Sequence, residues 1–359
     1  EAIAAYGRLW TVGGSDTQTI YWSDLLNGTS FTGGSSGSIN VGKVWPDGAD
    51  EVVALAAHNN LLLIFGKHSI LAYANAFSPA NMALADTVAG VGCIDRNSVQ
   101  HIGTDVLFLS ATGLRSFGRT IQEKSLPLSD LSANIKTELV EAINLLTQPV
   151  KSVYSPENSF YLLTFPENNT TYCFDLKGTL ENGAYRVTKW VSAPFKSFAR
   201  QQNGTLLVGT SSGVGKYTGY SDLTNTYRFR YYSPGLTFGD PSKVKILKKL
   251  RPTVVGGDSA SVFVKWGYDF STSYNTKEFD VGNQTPYYFN EAASLYGEST
   301  DQSDPYTPAE FTGGIITTRP PINASGNGSV ITVGLEADIN GFPLSLQEIN
   351  VLAMIGRTL

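Results

Sequence analysis

The sequence predicts an all-β fold: a β-propeller with at least five recognisable blades, plus a C-terminal β-rich region that closes the ring or forms a β-sandwich. Three observations predict it. Glycine (36), tyrosine (18) and phenylalanine (18) are abundant, and aromatics suit a half-buried pleated surface while glycine supplies the positive φ of tight turns. Charged residues are only 16% of the chain, so its polar surface is built from Ser, Thr, Asn and Gly. Finally, one plan of three short apolar strands separated by polar, Gly- or Asn-containing turns recurs five times.

The first copy runs Ile3 to Val12, turns at Gly13 to Thr17 and returns as Gln18 to Ser23. The second is Val52 to Ala56, Leu61 to Phe65 and Ser69 to Tyr73, with turns at His58-Asn59-Asn60 and Gly66-Lys67-His68. The third is Ser98 to Ile102, Val106 to Leu109 and Leu114 to Phe117. The fourth is Lys151 to Tyr154, Phe160 to Phe165 and Thr170 to Phe174, and the fifth Phe195 to Arg200, Thr205 to Gly209 and Val214 to Tyr217. Leu9, Leu62, Leu107, Leu162 and Leu207 mark a period of roughly 45–55 residues, within the propeller range. A single meander cannot bury both its faces, so such copies must stack on one another.

Leu131, Ile135, Leu139, Ile143 and Leu146 recur at helical spacing and predict one helix near 131–146, capped by Ser129 or Asp130 and covering an inter-blade surface. Gly33 to Ser38 reads as a flexible loop. The blades are expected over 1–226 and the C-terminal region over 227–359. There the strands lengthen and alternate: Tyr227 to Tyr232, Lys243 to Val255, Ser261 to Tyr268, Val330 to Ala337 and Leu346 to Ile355, with a long loop from Asn283 to Pro308. Periodicity leaves open whether they form a last blade or a sandwich.

Cys93 and Cys173 stand far apart with no partner at metal-ligand spacing. No apolar run is long enough for a transmembrane helix, and the start, lacking both an initiator Met and a basic leader, suggests a piece of a longer protein. A net charge of −5 argues against a tight nucleic-acid clamp. His58, His68 and His101 lie in turns or a strand without a poised partner, and Gly213-Val-Gly215 has no helix after it to complete a phosphate loop. No catalytic residue, metal or cofactor is expected, and the chain reads as non-enzymatic.

Two clusters are candidates for contact. Lys243, Lys245, Lys248, Lys249 and Arg251 form the one dense basic run, read first as a Lys-guarded edge strand; alternatively it meets an acidic neighbouring subunit or DNA. Tyr287, Tyr288, Phe289, Tyr296 and Tyr306, in the long loop, suit a subunit interface or a sugar. Asp301 and Asp304 read as a solvated loop rather than a calcium site.

Several segments resemble, in ordered succession, one family. Arg8-Leu-Trp10, Ile20-Tyr-Trp-Ser-Asp24 with Phe31, Asp50-Glu-Val-Val-Ala-Leu55, Leu61 to Lys67, Gly92-Cys93 to Ser98, Phe108-Leu-Ser110 and Gly113-Leu-Arg-Ser116 resemble the tail nozzle proteins of short-tailed bacteriophages. These are also called tail tubular protein B or packaged-DNA stabilisation proteins. The likeness covers roughly the first 220 residues, and Ile355-Gly356-Arg357 is similar to the family's ending. It implies a virion protein in the phage tail: a homohexameric, propeller-bearing ring below the tail adaptor protein, near tail fibres, through which DNA passes without tight binding. The family's first, platform-forming segment is missing here or lies outside this chain. Six copies would carry about −30, which repels a phosphate backbone. The turn from Ser23 to Phe31 also resembles, with altered spacing, the Asp-box of sialidase-like propellers. The alternative is therefore a carbohydrate-binding propeller that recognises a host glycan.

Overall fold

The computed structural model describes residues 1–123, 130–191, 195–222, 225–282, 287–288, 310–312 and 317–358. The chain divides into two compact units, Glu1–Tyr217 and Thr218–Leu359, rather than at 226/227. Both are built from small antiparallel sheets.

In the first unit the strands pair in chain order. The first sheet is β1 (Ala2–Ala5), β2 (Arg8–Val12), β3 (Thr19–Trp22) and β4 (Gly37–Asn40); the second is β5 (Val52–His58), β6 (Leu61–Gly66), β7 (Ile70–Ala74) and β8 (Ala83–Val88). The third holds β9 (Gln100–His101), β10 (Val106–Ser110) and β11 (Gly113–Ser116); the fourth holds β12 (Lys151–Ser155), β13 (Phe160–Phe165), β14 (Thr170–Thr179) and β15 (Tyr185–Trp190). The fifth is β16 (Ser197–Arg200), β17 (Leu206–Gly209) and β18 (Val214–Lys216). The first copy therefore contains two strands before its long turn, since Tyr6 and Gly7 at positive φ reverse the chain between β1 and β2. Asn59 and Asn60, also at positive φ, close the two-residue turn between β5 and β6.

Continuous apolar runs have a direct cause. Successive strand residues point to opposite faces, and in the middle sheets both faces are covered. Leu62 and Ile64 of β6 join Trp10, Ile20 and Trp22 of the first sheet, while Leu63 and Phe65 join Val106 and Phe108 of the third. Leu107 and Leu109 of β10 meet Tyr161, Leu163 and Phe165 of β13, whose Phe160 and Leu162 meet Leu206 and Val208 of β17. Each neighbouring pair of sheets thus shares one core. In the outer sheets β2 and β17 instead alternate between buried and half-buried residues.

Two helices accompany the third sheet. Helix α1 (Phe117–Glu123), which sequence periodicity did not indicate, follows β11 directly. Helix α2 (Lys136–Asn144) is the expected one, with Leu139 buried in the core shared by the third and fourth sheets. It starts later than expected. The Asp130 carboxylate accepts the Ser132 N–H (2.9 Å) and hydroxyl (2.6 Å), which folds that stretch into a turn, and the Ser132 hydroxyl accepts the Leu114 N–H of β11 (3.0 Å). Ser129 lies outside the described residues.

The second unit has two main sheets. One is β19 (Tyr227–Tyr232), β28 (Ile331–Ile339), β21 (Ser261–Tyr268) and β22 (Asn275–Asp280), in that spatial order. A short ladder joins β23 (Tyr287–Tyr288) to β24 (Glu310–Thr312). In the other main sheet β20 (Lys243–Gly256) pairs along its length with β29 (Leu344–Thr358) and on its other side with β25 (Thr317–Thr318), β26 (Ile322–Asn323) and β27 (Asn327–Gly328). Leu247, Leu250 and Val254 of β20 share one core with Val262, Val264 and Trp266 of β21 and Val333, Leu335 and Ala337 of β28. The two main sheets thus face one shared core.

Candidate functional site

The basic strand is not an edge. β20 is hydrogen-bonded on both sides, so the Lys-guarded edge expected from sequence is corrected to a central strand. A bulge at Lys248 also resets which side chains point inward. Lys245 and Leu247 point inward, and strict alternation would also bury Lys249 and Arg251; the extra residue shifts the inward set to Leu250, Pro252 and Val254.

The five cations then have different fates. Lys245 is fully buried and its ammonium donates to the carbonyls of Asp240 and Ser329, the latter at 2.8 Å. Lys243 pairs with Asp240 at 3.2 Å. The Ser242 hydroxyl and N–H, followed by Lys243, bring that carboxyl down to about 2. Lys248, Lys249 and Arg251 are exposed on the outer face. Beside them Leu352 is 60% exposed, Met354 58% and Ile246 37%. Leu352 lies opposite Lys249, Met354 opposite Ile246 and Asn350 opposite Arg251. The face is cationic and apolar together. Of the candidate aromatics, only the Tyr287 and Tyr288 backbone is described, in β23. Phe289, Tyr296 and Tyr306 lie outside the described residues, as do Asp301 and Asp304.

In the first unit a cavity of about 590 Å³ is lined by the first strands of four sheets, through Ala2 of β1, Gln100 of β9, Lys151 and Ser152 of β12, and Ser197 and Phe198 of β16. Arg96 and Lys196 add charge at its wall. Much of its lining is already partnered. Arg96 lies 3.6 Å from the Glu1 carboxylate, Lys196 donates to the Pro166 carbonyl (2.8 Å), and Gln100 donates to the Ser152 hydroxyl (3.1 Å).

One charged cluster was not visible in the sequence. Glu336, on the outer side of β28, is 5% exposed and accepts from Arg228 of β19 (2.8 Å), from Lys265 of β21 (2.9 Å) and from the Tyr232 hydroxyl. Arg228 also meets Asp338 at 2.7 Å and lies 5.0 Å over the Phe263 ring. Burial opposes ionisation of Glu336, but the bonds from Tyr232, Arg228 and Lys265 outweigh it and lower the carboxyl to about 2. Alternating Arg228 and Arg230 hint at one polar face; the acid that meets them lies about a hundred residues on.

The histidines and cysteines occupy structural positions. His58 and His101 lie with ring centroids 6.4 Å apart, and burial, then the neighbouring imidazole, lowers the pKa of His101. His68 is exposed, 3.5 Å from Asp50. Burial pushes both Cys93 and Cys173 thiols up to about 12, so they are protonated at neutral pH. Among the described residues no cluster of His, Cys, Asp and Glu suits a metal ion, and no helix is long and apolar enough to cross a membrane.

No family model and no curated protein matches the chain. Solved structures give slight likenesses. The AfRom2 CNH domain is 13% identical at a TM-score of 0.33, with 64% of this chain and 72% of that chain covered. An auxiliary nutrient binding protein from Bacteroides ovatus ATCC 8483 is 11% identical at 0.34, with 61% and 56% covered. KlAtg21, in complex with the coiled-coil of AgAtg16, is 13% identical at 0.31, with 59% and 63% covered. None is similar enough to carry an argument about fold or function.

Proposed function

We propose that this chain is a non-enzymatic structural component of a bacteriophage tail, a nozzle subunit that assembles with further copies into a ring conducting and retaining the genome. The observation that carries this reading is the succession of five sheets in chain order, each sharing a core with the next, with first strands from four of them around one cavity. That pattern supports five blades of a propeller, the architecture implied by the resemblance of Arg8 to Ser116 to nozzle proteins. The C-terminal unit is in this reading a sandwich, with its own core, rather than a last blade.

The alternative, a glycan-recognising propeller, rests on loop aromatics that lie largely outside the described residues. Negative-stain imaging of the purified chain separates the two. Rings with a central hole are the expected result; uniformly monomeric particles that also bind a glycan array would replace this reading with the alternative.

A further inference from the structure

We propose that the outer face of the β20–β29 sheet is a head-to-tail interface, docking on the acidic surface of a second copy of the chain. The inference rests on the ring reading above and names the surface through which such a ring closes. Two features of the face call for a partner. Leu352, Met354 and Ile246 form a contiguous apolar patch because cross-strand pairing sets Met354 beside Ile246, with Leu352 two residues along the same strand. Around it stand Lys248, Lys249 and Arg251, for which no ion pair is found among the described residues, whereas Arg319, next to Thr318 of β25, is held at 2.6 Å by Glu348, two residues along β29 from the Asn350 that faces Arg251.

Charge selects the occupant. The face takes three of the chain's 26 lysines and arginines, Lys248, Lys249 and Arg251, which leaves 23 against 31 acidic residues. The rest of another copy is therefore acidic on balance. A two-fold contact would instead bring Lys248, Lys249 and Arg251 of both copies face to face, and like charges brought together across an interface oppose association. The favoured contact is heterologous: the basic, apolar face of one copy on a different, acidic surface of the next. Contacts of that kind build rings when the rotation closes and filaments when it does not. The bulge at Lys248 has a role in this arrangement, because it turns Lys249 and Arg251 outward onto the face that carries Leu352.

The test uses the full chain, its K248E/K249E/R251E variant and an L352S/M354S variant, with mass measured by light scattering across a dilution series in low and high salt. All the substituted side chains are exposed, and unchanged circular dichroism and melting temperature establish that the variants fold. The expected result is an oligomer for the wild type and at least ~100-fold weaker association for either variant, with added salt weakening the wild type. A wild-type oligomer that both variants reproduce overturns the interface while leaving the ring reading intact; a wild type monomeric throughout overturns the ring reading itself. Equal mixing of wild type and charge-reversed chains distinguishes the two geometries. Mixed dimers tighter than either parent mean face against face and overturn the head-to-tail arrangement. Loss of binding to duplex DNA or to anionic phosphatidylserine vesicles in the charge-reversed variant, with assembly unchanged, would instead identify the face as an anion-binding surface and also overturn it.

Discussion

Glu336 shows how much one side chain can organise when its neighbours are fixed by strand register. Phe263 of β21 stands opposite it on one side and Arg230 of β19 on the other, and the chain supplies Arg228, Lys265 and Tyr232 as donors. Replacing it by Gln removes the negative charge while leaving three cations, Arg228, Lys265 and Arg230, close together, at a cost of about 3 kcal/mol. Its pH dependence has a definite sign. The folded pKa of about 2 lies below the ordinary 4.5, so the stabilisation is fully present above about pH 4.5 and is lost as pH falls from there towards 2. Urea titrations of wild type and E336Q should therefore differ most near neutrality, with the gap narrowing from about pH 4.5 down through pH 2; a gap of constant size would sink the assignment. None of this was legible in the sequence, because the acid and its partners are distant in chain order. Lys245 was legible as basic but not as buried, since the bulge that separates it from Lys248 and Lys249 leaves no mark in composition.

At the scale of strands and turns, the first unit was legible wherever pairing is local. The apolar runs at Leu61, Val106 and Phe160 are the central strands of their sheets because both their faces are covered. The fourth strands were missed. β4 begins in the Gly- and Ser-rich stretch read as a flexible loop, yet a Cβ on Gly37 would lie 2.6 Å from the Trp22 ring, so that glycine permits close packing. The β8 and β15 strands lay in stretches without a clear apolar run. Asp50 shows what joins such elements: buried, it accepts the N–H groups of Glu51 (2.8 Å), Lys67 (3.0 Å) and His68 (2.9 Å), tying the start of β5 to the turn between β6 and β7. Asp50→Ala leaves these donors without that acceptor and should cost about 2–3 kcal/mol, with Asp50→Asn intermediate. Chemical denaturation checks this, and an unchanged midpoint in D50A would show that the turn holds without its carboxylate.

For the whole molecule, charge is the legible property and long-range pairing is not. The five long C-terminal strands were placed from their alternation, but which strand lies beside which depends on partners such as Tyr227 and Ile339, or Lys243 and Thr358. An acid-leaning chain whose basic run is partly buried should hold DNA poorly. Fluorescence anisotropy with a labelled duplex at physiological salt is expected to give a Kd of about 10⁻⁴ M or weaker, at the loose end of non-specific binding. K248Q/K249Q/R251Q should alter assembly more than duplex affinity. Tight, sequence-selective binding lost in that variant would mark a DNA-recognition protein and end the conduit reading.

The order of pairing also sets a timetable for synthesis. In the first unit each strand's partner is the one made just before or after it, so every sheet can be completed soon after its last strand leaves the ribosome, and loop closure costs little. The second unit works differently. β20 is made early, but its nearest register partner on β29 is Leu344, facing Gly256, and the ladder is finished only at Thr358. Through that interval the inward side chains of β20, β21 and β28 have no completed opposite layer, and a nascent chain in that state is open to mispairing with its neighbours. Where many copies are made at once on adjacent ribosomes, the pairing of β29 with β20 is therefore the step that commits each copy to its own fold.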